Sequence, residues 1–488
     1  MMKVNFLFIT VLLSSSLSAN AQDDEFRKKY EEFKRQAHEQ YEDFRDKANK
    51  EYADFREDAW KEFKRMPAIP KPKDEEIEPI DIPEEELNKP VEDNPLPFDE
   101  VVTPPQPQPQ PKPVSPIKEQ PQTEENNISF LYFGTNCKVR IPENKSLSLT
   151  KFSESELNKA WEELSSANYN NTIMDCLNLR TRLQLSDWAY LNMLNTFVES
   201  YYGKGNEANL LMAFLYCQSG YKMRLGNDDG KVWLLFASRH DIWDIPYYLV
   251  DNEKYYSFNC DAEKLSIRCV GYPREISLSL LIQQPHLFSY NETEPRTLTS
   301  KRYPDISVNI SVNKNIIDFY NTYPISYLDN NFMTKWAMYA NTPIDEKVKS
   351  QLYPLLKDKI TGLSQREAAN RLLDWVQMAF VYELDDKVWG YDRAFFAEES
   401  LYYPYCDCED RSILFSHLVR DLLGLKVLLV YYPGHLATAV NFTENVQGDY
   451  IPLHGEKYVV CDPTFLGASV GMTMTDMDNS KATVILLE

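Results

Sequence analysis

The hydrophobic pattern near the C-terminus changes from helical to strand spacing. Apolar residues recur every three or four positions over 413–423, and Gly424 follows where such a helix would end. Two runs rich in β-branched and aromatic residues come next, at 426–432 and 436–442, and a third short run covers 458–461. The pattern predicts a helix packed on an antiparallel sheet, in an α+β protein.

An eleven-residue repeat fills residues 26–63. Aromatic and alanine residues recur in three registers, which are Tyr30, Tyr41, Tyr52 and Phe63; Phe33, Phe44 and Phe55; and Phe26, Ala37, Ala48 and Ala59. Because eleven residues make close to three helical turns, these positions form a narrow apolar stripe on a helix. The repeat predicts one long helix over 22–65.

The width of this stripe and the charges around it indicate what it contacts. A stripe this narrow cannot sit in a globular core, so it should pair with another helix, as in a coiled coil, or lie on a surface, and the balanced charge favours self-association or a protein partner. Residues 22–65 hold 12 Lys and Arg against 14 Asp and Glu, whereas an anionic membrane would select a cationic face. A solvated single helix with ion pairs at i,i+4 is the alternative.

Composition divides the rest of the chain. Sixteen of the 29 prolines fall within 66–127, together with many acids and few apolar residues. Such a segment buries too little surface to offset the cost of ordering, so it predicts a disordered, extended linker. Residues 128–335 have the content of a globular, α/β-containing domain, and 345–488 hold the helix and strand pattern described first.

The first residues and the net charge bear on location and partners. Residues 1–21 combine Lys3, an apolar run and a small-residue end, which is the pattern of a cleaved signal peptide. No other apolar run approaches the roughly 18 residues of a spanning helix, so we expect an exported protein, periplasmic or secreted, without a transmembrane segment. The net charge of −22 argues against nucleic acid, because binding phosphates requires Lys and Arg.

Three residues, Cys408, His435 and Asp462, carry the candidate chemistry. A thiol is a weak nucleophile until an imidazole takes its proton, and the imidazole needs a third group to fix its tautomer. The pattern places Cys408 at a helix entrance, where the dipole favours a thiolate, and puts His435 and Asp462 at strand ends. Asp407, Glu409 and Asp410 oppose this effect, because negative charge raises a thiol pKa unless His435 is protonated and close.

These segments resemble the transglutaminase-like superfamily, which has a papain-like thiol fold. Its pattern is a Cys-x-Asp entering a helix, a His on the following strands and an Asp often followed by Pro-Thr. The matching residues here are Cys408-Glu409-Asp410, Gly434-His435 and Asp462-Pro463-Thr464. The resemblance runs through 380–465 and implies a catalytic domain over 345–488.

The resemblance also implies a role for each residue. Cys408 would be the nucleophile, His435 the base and Asp462 the orienting acid. Asp410 matches the Asp of Cys-x-Asp, and we interpret it as a helix-start residue. Gln377, on the preceding helix, would contribute to the oxyanion hole, since members of the family use an upstream Gln or Trp there.

The functional hypothesis is a cysteine amidase or peptidase. Cys408 would attack an amide carbonyl, form a thioester and release it with water, with no cofactor. Release by an amine would make the protein a cross-linking acyltransferase instead. A non-catalytic module that binds peptide or cell-wall ligand is the alternative of a different class. No metal is expected, because the Cys-x-Cys at Cys406 has no second ligand pair at zinc spacing.

Cysteine number raises a separate question about pairing. Eight cysteines in an exported protein suggest a set of disulfides. If Cys408 stays a free thiol, seven remain, so at least one more is unpaired. Cys406 and Cys461 flank the predicted site, and we interpret them as packing residues, with redox partnership as the alternative.

An internal similarity links the two globular parts. Residues 210–222 echo 414–426 at an offset of 204, and the stretch around Lys254 echoes the stretch around Lys457. If the echo reflects homology, Lys204 lies where the nucleophile should be and Asn259 where the acid should be. Residues 128–335 would then be a degenerate transglutaminase-like copy. Chance similarity between two helix-strand units is the alternative.

Overall fold

The architecture combines helices with antiparallel sheets and is α+β. A computed structural model describes residues 19–54, 59–71, 77–83, 92–114, 117–121, 125–143, 147, 149, 153–257, 260, 262–474 and 477–488. Most of the expected signal peptide, residues 1–18, therefore lies outside the described residues. Within the described residues, no helix combines the length and apolarity needed to cross a membrane.

The elements follow one another in mixed order. The α-helices are α1 (Ala19–Tyr52), α2 (Glu154–Leu164), α3 (Asn170–Arg182), α4 (Asp187–Tyr202), α5 (Asn206–Gln218), α6 (Lys314–Tyr320), α7 (Thr334–Asn341), α8 (Glu346–Ile360), α9 (Gln365–Ala379), α10 (Asp385–Val388), α11 (Ala397–Tyr402) and α12 (Cys408–Leu418). The first strands are β1 (Trp60–Lys64), β2 (Asn94–Pro95), β3 (Glu100–Val102), β4 (Glu125–Tyr132), β5 (Thr135–Pro142), β6 (Met223–Asp228), β7 (Lys231–Ala237), β8 (Asp241–Ile242), β9 (Tyr247–Val250), β10 (Glu253–Ser257) and β11 (Lys264–Arg268). The later strands are β12 (Arg296–Thr299), β13 (Ser307–Ile310), β14 (Ser326–Tyr327), β15 (Val381–Tyr382), β16 (Tyr405–Cys406), β17 (Lys426–Tyr432), β18 (His435–Asn441), β19 (Asp449–Leu453), β20 (Glu456–Cys461) and β21 (Thr483–Leu486).

A six-stranded antiparallel sheet forms one half, in the order β1-β11-β6-β7-β10-β9. Helix α5 packs against β6 and β7, and its residues 210–218 are all buried. The opposite face of the sheet has its own apolar cluster, which includes Leu235, Tyr248 and Ile267 and is covered in part by Phe63 of β1. Both faces are therefore apolar, which explains the nearly continuous hydrophobic runs of these strands.

A seven-stranded sheet forms the other half, in the order β2-β19-β20-β18-β17-β21-β3. Its central pairs are antiparallel, and its two outermost strands, β2 and β3, join in parallel. Helix α12 lies across β17 and β18. It continues as a π-helical turn over Val419–Leu423 and ends at Gly424, whose φ of +67° suits glycine. The helix and strands predicted over 413–461 are thus present.

The two sheets repeat the same connectivity. In each case a helix, α5 or α12, is followed along the chain by two β-hairpins and a last strand. The resulting strand orders are β11-β6-β7-β10-β9 and β21-β17-β18-β20-β19. Asp228 pairs with Lys231 across the first hairpin, and Tyr432 pairs with His435 at the corresponding positions. Positions that correspond in sequence at an offset of 204 residues therefore also correspond in strand pairing. Of the residues in that comparison, Asn259 lies outside the described part of the chain.

The N-terminal helix is shorter than its repeat predicts. Instead of running over 22–65, α1 ends at Tyr52, and Trp60–Lys64 forms β1. All five residues of β1 pair with β11, which would otherwise be an open sheet edge. Pairing with an unsatisfied edge outweighs the weak helical preference of a few residues, so tertiary structure overrides the repeat there.

The proline-rich segment is not a free spacer where it is described. Leu96 and Val102 are buried, and β2 and β3 add to the edges of the seven-stranded sheet. Further along, Gln108 donates to the Ser277 carbonyl at 2.7 Å. Extended backbone with prolines suits sheet edges, where a missing N–H can face outwards. The predicted disordered linker over 66–127 is wrong for these stretches.

The cysteines form no disulfide. All eight are free, and six of them are buried. A buried thiol packs as a small apolar side chain, which accounts for Cys406 and Cys461 inside the main core. The disulfide set suggested by cysteine number is therefore not present.

Substitution of Tyr52 tests whether α1 belongs to the folded body. Its ring lies 4.7 Å from that of Trp161, and the Arg268 guanidinium stands 4.0 Å from its centroid. We expect Tyr52→Ala to lower the free energy of unfolding by about 3 kcal/mol, measured by denaturant titration, because it opens a cavity. Tyr30→Ala in the same helix, where the side chain is 56% exposed, should be nearly neutral. Equal effects would place α1 outside the cooperative fold.

Candidate active site

The start of α12 is held by reciprocal caps. The Asp407 side chain accepts from the Asp410 N–H, and the Asp410 side chain accepts from the Asp407 N–H, both at 3.3 Å. Asp410 also accepts the Phe395 N–H at 2.7 Å. These bonds satisfy backbone donors that a helix start leaves unpaired, and they fix Cys408 in the first turn. Asp410 is thus a helix-start residue.

His435 and Asp462 form a buried pair on neighbouring strands. His435 begins β18 and Asp462 directly follows β20, and their Nε2 and Oδ2 atoms lie 2.9 Å apart. The other Asp462 oxygen accepts the backbone N–H groups of Thr464 at 2.9 Å and Phe465 at 3.2 Å. With the proton on Nε2, Nδ1 is the basic nitrogen, and Nδ1 is buried without a hydrogen-bond partner among the described residues.

Cys408 meets the same region from the helix. The Leu436 N–H donates toward its sulfur, which lowers the thiol pKa, and Ser412 of α12 donates to the Leu436 carbonyl at 2.8 Å. Cys408 and His435 line one cavity of about 310 Å³, with Trp336 and Tyr431 stacked as a wall at 5.0 Å between ring centroids. The structure therefore brings Cys408, His435 and Asp462 together.

Burial and nearby acids hold the thiol in its protonated form. Burial raises the Cys408 pKa well above its ordinary value of 9.0, and the charges of Glu409 and Asp407 raise it further. The thiol also donates to Glu409 Oε2, with sulfur and oxygen 3.3 Å apart. The resting site thus contains a neutral thiol, which the helix dipole alone does not ionise.

A group of carboxylates lies beside the nucleophile. Oxygens of Asp385, Asp392 and Glu409 lie within 4.8 Å of one another, a set that could hold a hard cation such as Ca²⁺. Lys335 already supplies a positive charge, since its Nζ lies 2.7 Å from Asp392. Burial, then the charges of Asp410 and Glu409, raise the Asp385 pKa. Burial therefore favours the protonated form of Asp385, and Lys335 places one positive charge beside Asp392.

Gln377 does not reach the cavity. Its side-chain nitrogen donates to the carbonyls of Asp462 at 2.9 Å and Phe465 at 2.8 Å, and its oxygen accepts the Gly467 N–H at 3.2 Å. A fully engaged amide cannot also bind a developing oxyanion. Gln377 therefore does not have the oxyanion role predicted for it. It positions the loop that carries Asp462.

Arg411 is a positioning residue that the sequence pattern did not identify. It is 1% exposed, and it donates to the carbonyls of Gln377 at 3.2 Å, Phe380 at 3.1 Å and Pro463 at 3.4 Å. It therefore ties α12 to the end of α9 and to the loop after Asp462. An arginine within a buried helix start is the signal that could have found it, whereas Lys335 and Trp336 offer no local signal.

Comparisons with family models, with curated proteins and with solved structures find no match to this chain. The candidate site is consequently supported by its geometry alone. The resemblance to the transglutaminase-like superfamily stays a prediction from the motifs.

Glu398, just before the site, should make stability depend on pH. Burial raises its pKa from 4.5 to about 7, so the folded protein binds this proton more tightly than the unfolded chain. Its contribution is complete below about pH 4.5 and is lost as the pH rises through 7. We expect Glu398→Gln to gain about 2–3 kcal/mol relative to wild type between pH 5 and 8, measured by denaturant titration. The exposed Glu346→Gln variant should show no such trend, and parallel profiles for Glu398→Gln and wild type would contradict the shift.

Replacement of Glu409 tests the electrostatics of the thiol. Glu409→Gln removes a carboxylate that raises the Cys408 pKa, so the thiolate fraction should increase about tenfold for each unit by which the pKa falls. We expect faster alkylation of Cys408 by iodoacetamide at pH 8, followed by mass spectrometry. Glu409→Asp retains the charge and is the control. An unchanged rate in Glu409→Gln would show that this carboxyl does not control the thiol.

Proposed function

We propose that the chain is a cysteine amidase or peptidase that acts through a thioester on peptide amides. The observation that carries the proposal is the buried His435–Asp462 pair, whose free Nδ1 lies in the region of the Cys408 thiol. A buried imidazole with one nitrogen fixed by a carboxylate and the other unpartnered suits a general base.

The reaction begins with proton transfer from the Cys408 sulfur to His435 Nδ1. The Asp462 carboxylate stabilises the imidazolium that forms, since it already accepts from Nε2. The thiolate attacks the amide carbonyl, and the start of α12 places N–H groups and the positive end of the dipole near the oxyanion. The imidazolium protonates the leaving amine, and water then hydrolyses the thioester.

The second half-reaction leaves one choice within the same mechanism. An amine in place of water would give cross-linking, because both outcomes share the acylation step. The same proposal places the protein outside the cytoplasm, on the signal-peptide pattern of residues 1–21.

A non-catalytic binding module is the second candidate, and one observation favours it. Cys408 is only 2% exposed, and its thiol is held neutral by burial and by Glu409. A cavity of mixed charge with a Trp336–Tyr431 wall could bind a peptide without reacting with it.

Substitution of the three residues separates the two candidates. We expect Cys408→Ala and His435→Ala to lower turnover by at least about 10⁴-fold, because nucleophile and base act as a unit, and Asp462→Asn to retain a small fraction. The assay incubates the protein with a peptide library and a labelled amine, and mass spectrometry scores hydrolysis against amine incorporation. Cys406→Ala is the matched thiol control. Undiminished turnover in Cys408→Ala would end the enzyme proposal, and peptide retention without turnover would favour the binding module.

A further inference from the structure

Part of the proline-rich segment lies at one side of the candidate active site. Asp244 donates its N–H to the Ile69 carbonyl at 3.1 Å. Lys71 Nζ lies 3.2 Å from Asp244 Oδ2 and 4.1 Å from the centroid of the Tyr391 ring. Pro70 and Lys71 line the cavity that Cys408 and His435 also line. Residues 69–71 are therefore a wall of the site.

The same segment reappears next to His435. Ile77 donates its N–H to the Gly434 carbonyl at 3.0 Å, and Gly434 directly precedes His435. The Tyr382 hydroxyl donates to the Ile77 carbonyl at 3.2 Å. The backbone groups nearest the predicted base are thus paired with residues from the distant N-terminal part of the sequence.

Beyond Ile77 the segment pairs like an added strand. Leu466 donates its N–H to the Ile80 carbonyl at 2.9 Å, and the Ile82 N–H donates to the Leu466 carbonyl at 3.0 Å. The side chains of Ile77, Ile80 and Ile82 pack against a small cluster that includes Phe465. Leu466 and Phe465 belong to the loop after Asp462, so this contact lies next to the third member of the site.

The pattern of contacts matches the way an extended peptide binds. Main-chain hydrogen bonds to exposed backbone groups supply affinity, and pockets for alternate side chains supply specificity. The Gly434 carbonyl and the Leu466 N–H and carbonyl are the groups that such a peptide would use beside His435 and Asp462. All three are occupied by this chain itself.

We propose that residues 69–71 and 77–82, called the strap below, occupy the peptide-binding groove of the candidate active site and hold it in an inhibited state. The inference rests on the proposed function. It assigns the substrate class as an extended peptide with apolar side chains at alternate positions, on the model of Ile80 and Ile82. Displacement or cleavage of the strap would then free Gly434 and Leu466 for substrate.

The contacts also explain how the strap can leave without unfolding the body. Residues 77–82 make one hydrogen bond each to Gly434 and Tyr382, a pair to Leu466 and an ion pair between Glu78 and Lys387, and their isoleucines are half-buried against one small cluster. In contrast, β1 pairs all five of its residues with β11. Local opening begins where backbone bonds and buried contacts are few.

A backbone substitution in the full-length chain tests the strap. Ile77→Pro removes the N–H that reaches Gly434, and Ile77→Val keeps it with a similar side chain. We expect Ile77→Pro to raise the rate of Cys408 alkylation by iodoacetamide about fivefold, which is the population shift produced by loss of one backbone hydrogen bond. Turnover of the peptide library should rise with it. A hexapeptide copy of residues 77–82 should slow alkylation of the variant, and a copy with serine in place of each isoleucine should not.

The outcomes separate this inference from the proposed function. Equal alkylation rates in Ile77→Pro and Ile77→Val, with unchanged melting temperatures, overturn the strap even if wild type hydrolyses peptides. Faster alkylation without turnover in any variant supports the strap and overturns the enzyme proposal. If Ile77→Pro melts early, Lys71→Met carries the test, since it removes the contacts to Asp244 and Tyr391 and leaves the backbone bonds in place. No increase in alkylation with Lys71→Met would then count against the strap.

Discussion

The need to pair the backbone groups at the edges of its sheets is the constraint on which the rest of this structure depends. Without β1, β2 and β3, the two large sheets would present open backbone N–H and carbonyl groups at these edges, and such edges invite pairing with other chains. The N-terminal part of this chain supplies β1 to one sheet and both β2 and β3 to the other. The described residues between these strands include 69–71 and 77–83, which contact both halves of the protein. Their route passes Pro70, Lys71 and Ile77 beside the cavity of Cys408 and His435.

The elements predicted correctly are those that a local sequence pattern marks. The helix at 413–423, the strands around His435 and the three residues of the candidate site follow from spacing and motif, and the structure has them in place. Long-range pairing decided the rest. The stretch Trp60–Lys64 carries the register of a helical stripe, yet it forms a strand because β11 lies beside it. Low apolar content in 66–127 predicts disorder. A few buried residues such as Leu96 and Val102 are nevertheless enough to order part of this segment, because its backbone pairs with the edges of the sheet.

Side-chain direction was the other quantity that sequence could not supply. Gln377 lies on the expected helix before the nucleophile, but its amide faces the loop after Asp462 and is saturated by backbone groups there. The carboxylate beside Cys408 was visible in sequence, whereas the approach of Asp392 and Lys335 required three distant segments to meet. Motif spacing thus pointed to the candidate residues, whereas the charges around them are brought together by the tertiary fold.

The similarity of the two sheets distinguishes the shared fold from the residues of the candidate site. Strand order and hairpin register agree between the halves, so the shared fold does not depend on the reactive residues. Lys231 stands in the register position of His435, so the first half has no imidazole at this position. The two halves thus share strand order and hairpin register and differ at the positions of the candidate site, where His435 corresponds to Lys231. The strap contacts both halves, through Asp244 in the first and through Gly434 and Leu466 in the second, so the segment that joins the two sheets also borders the candidate site.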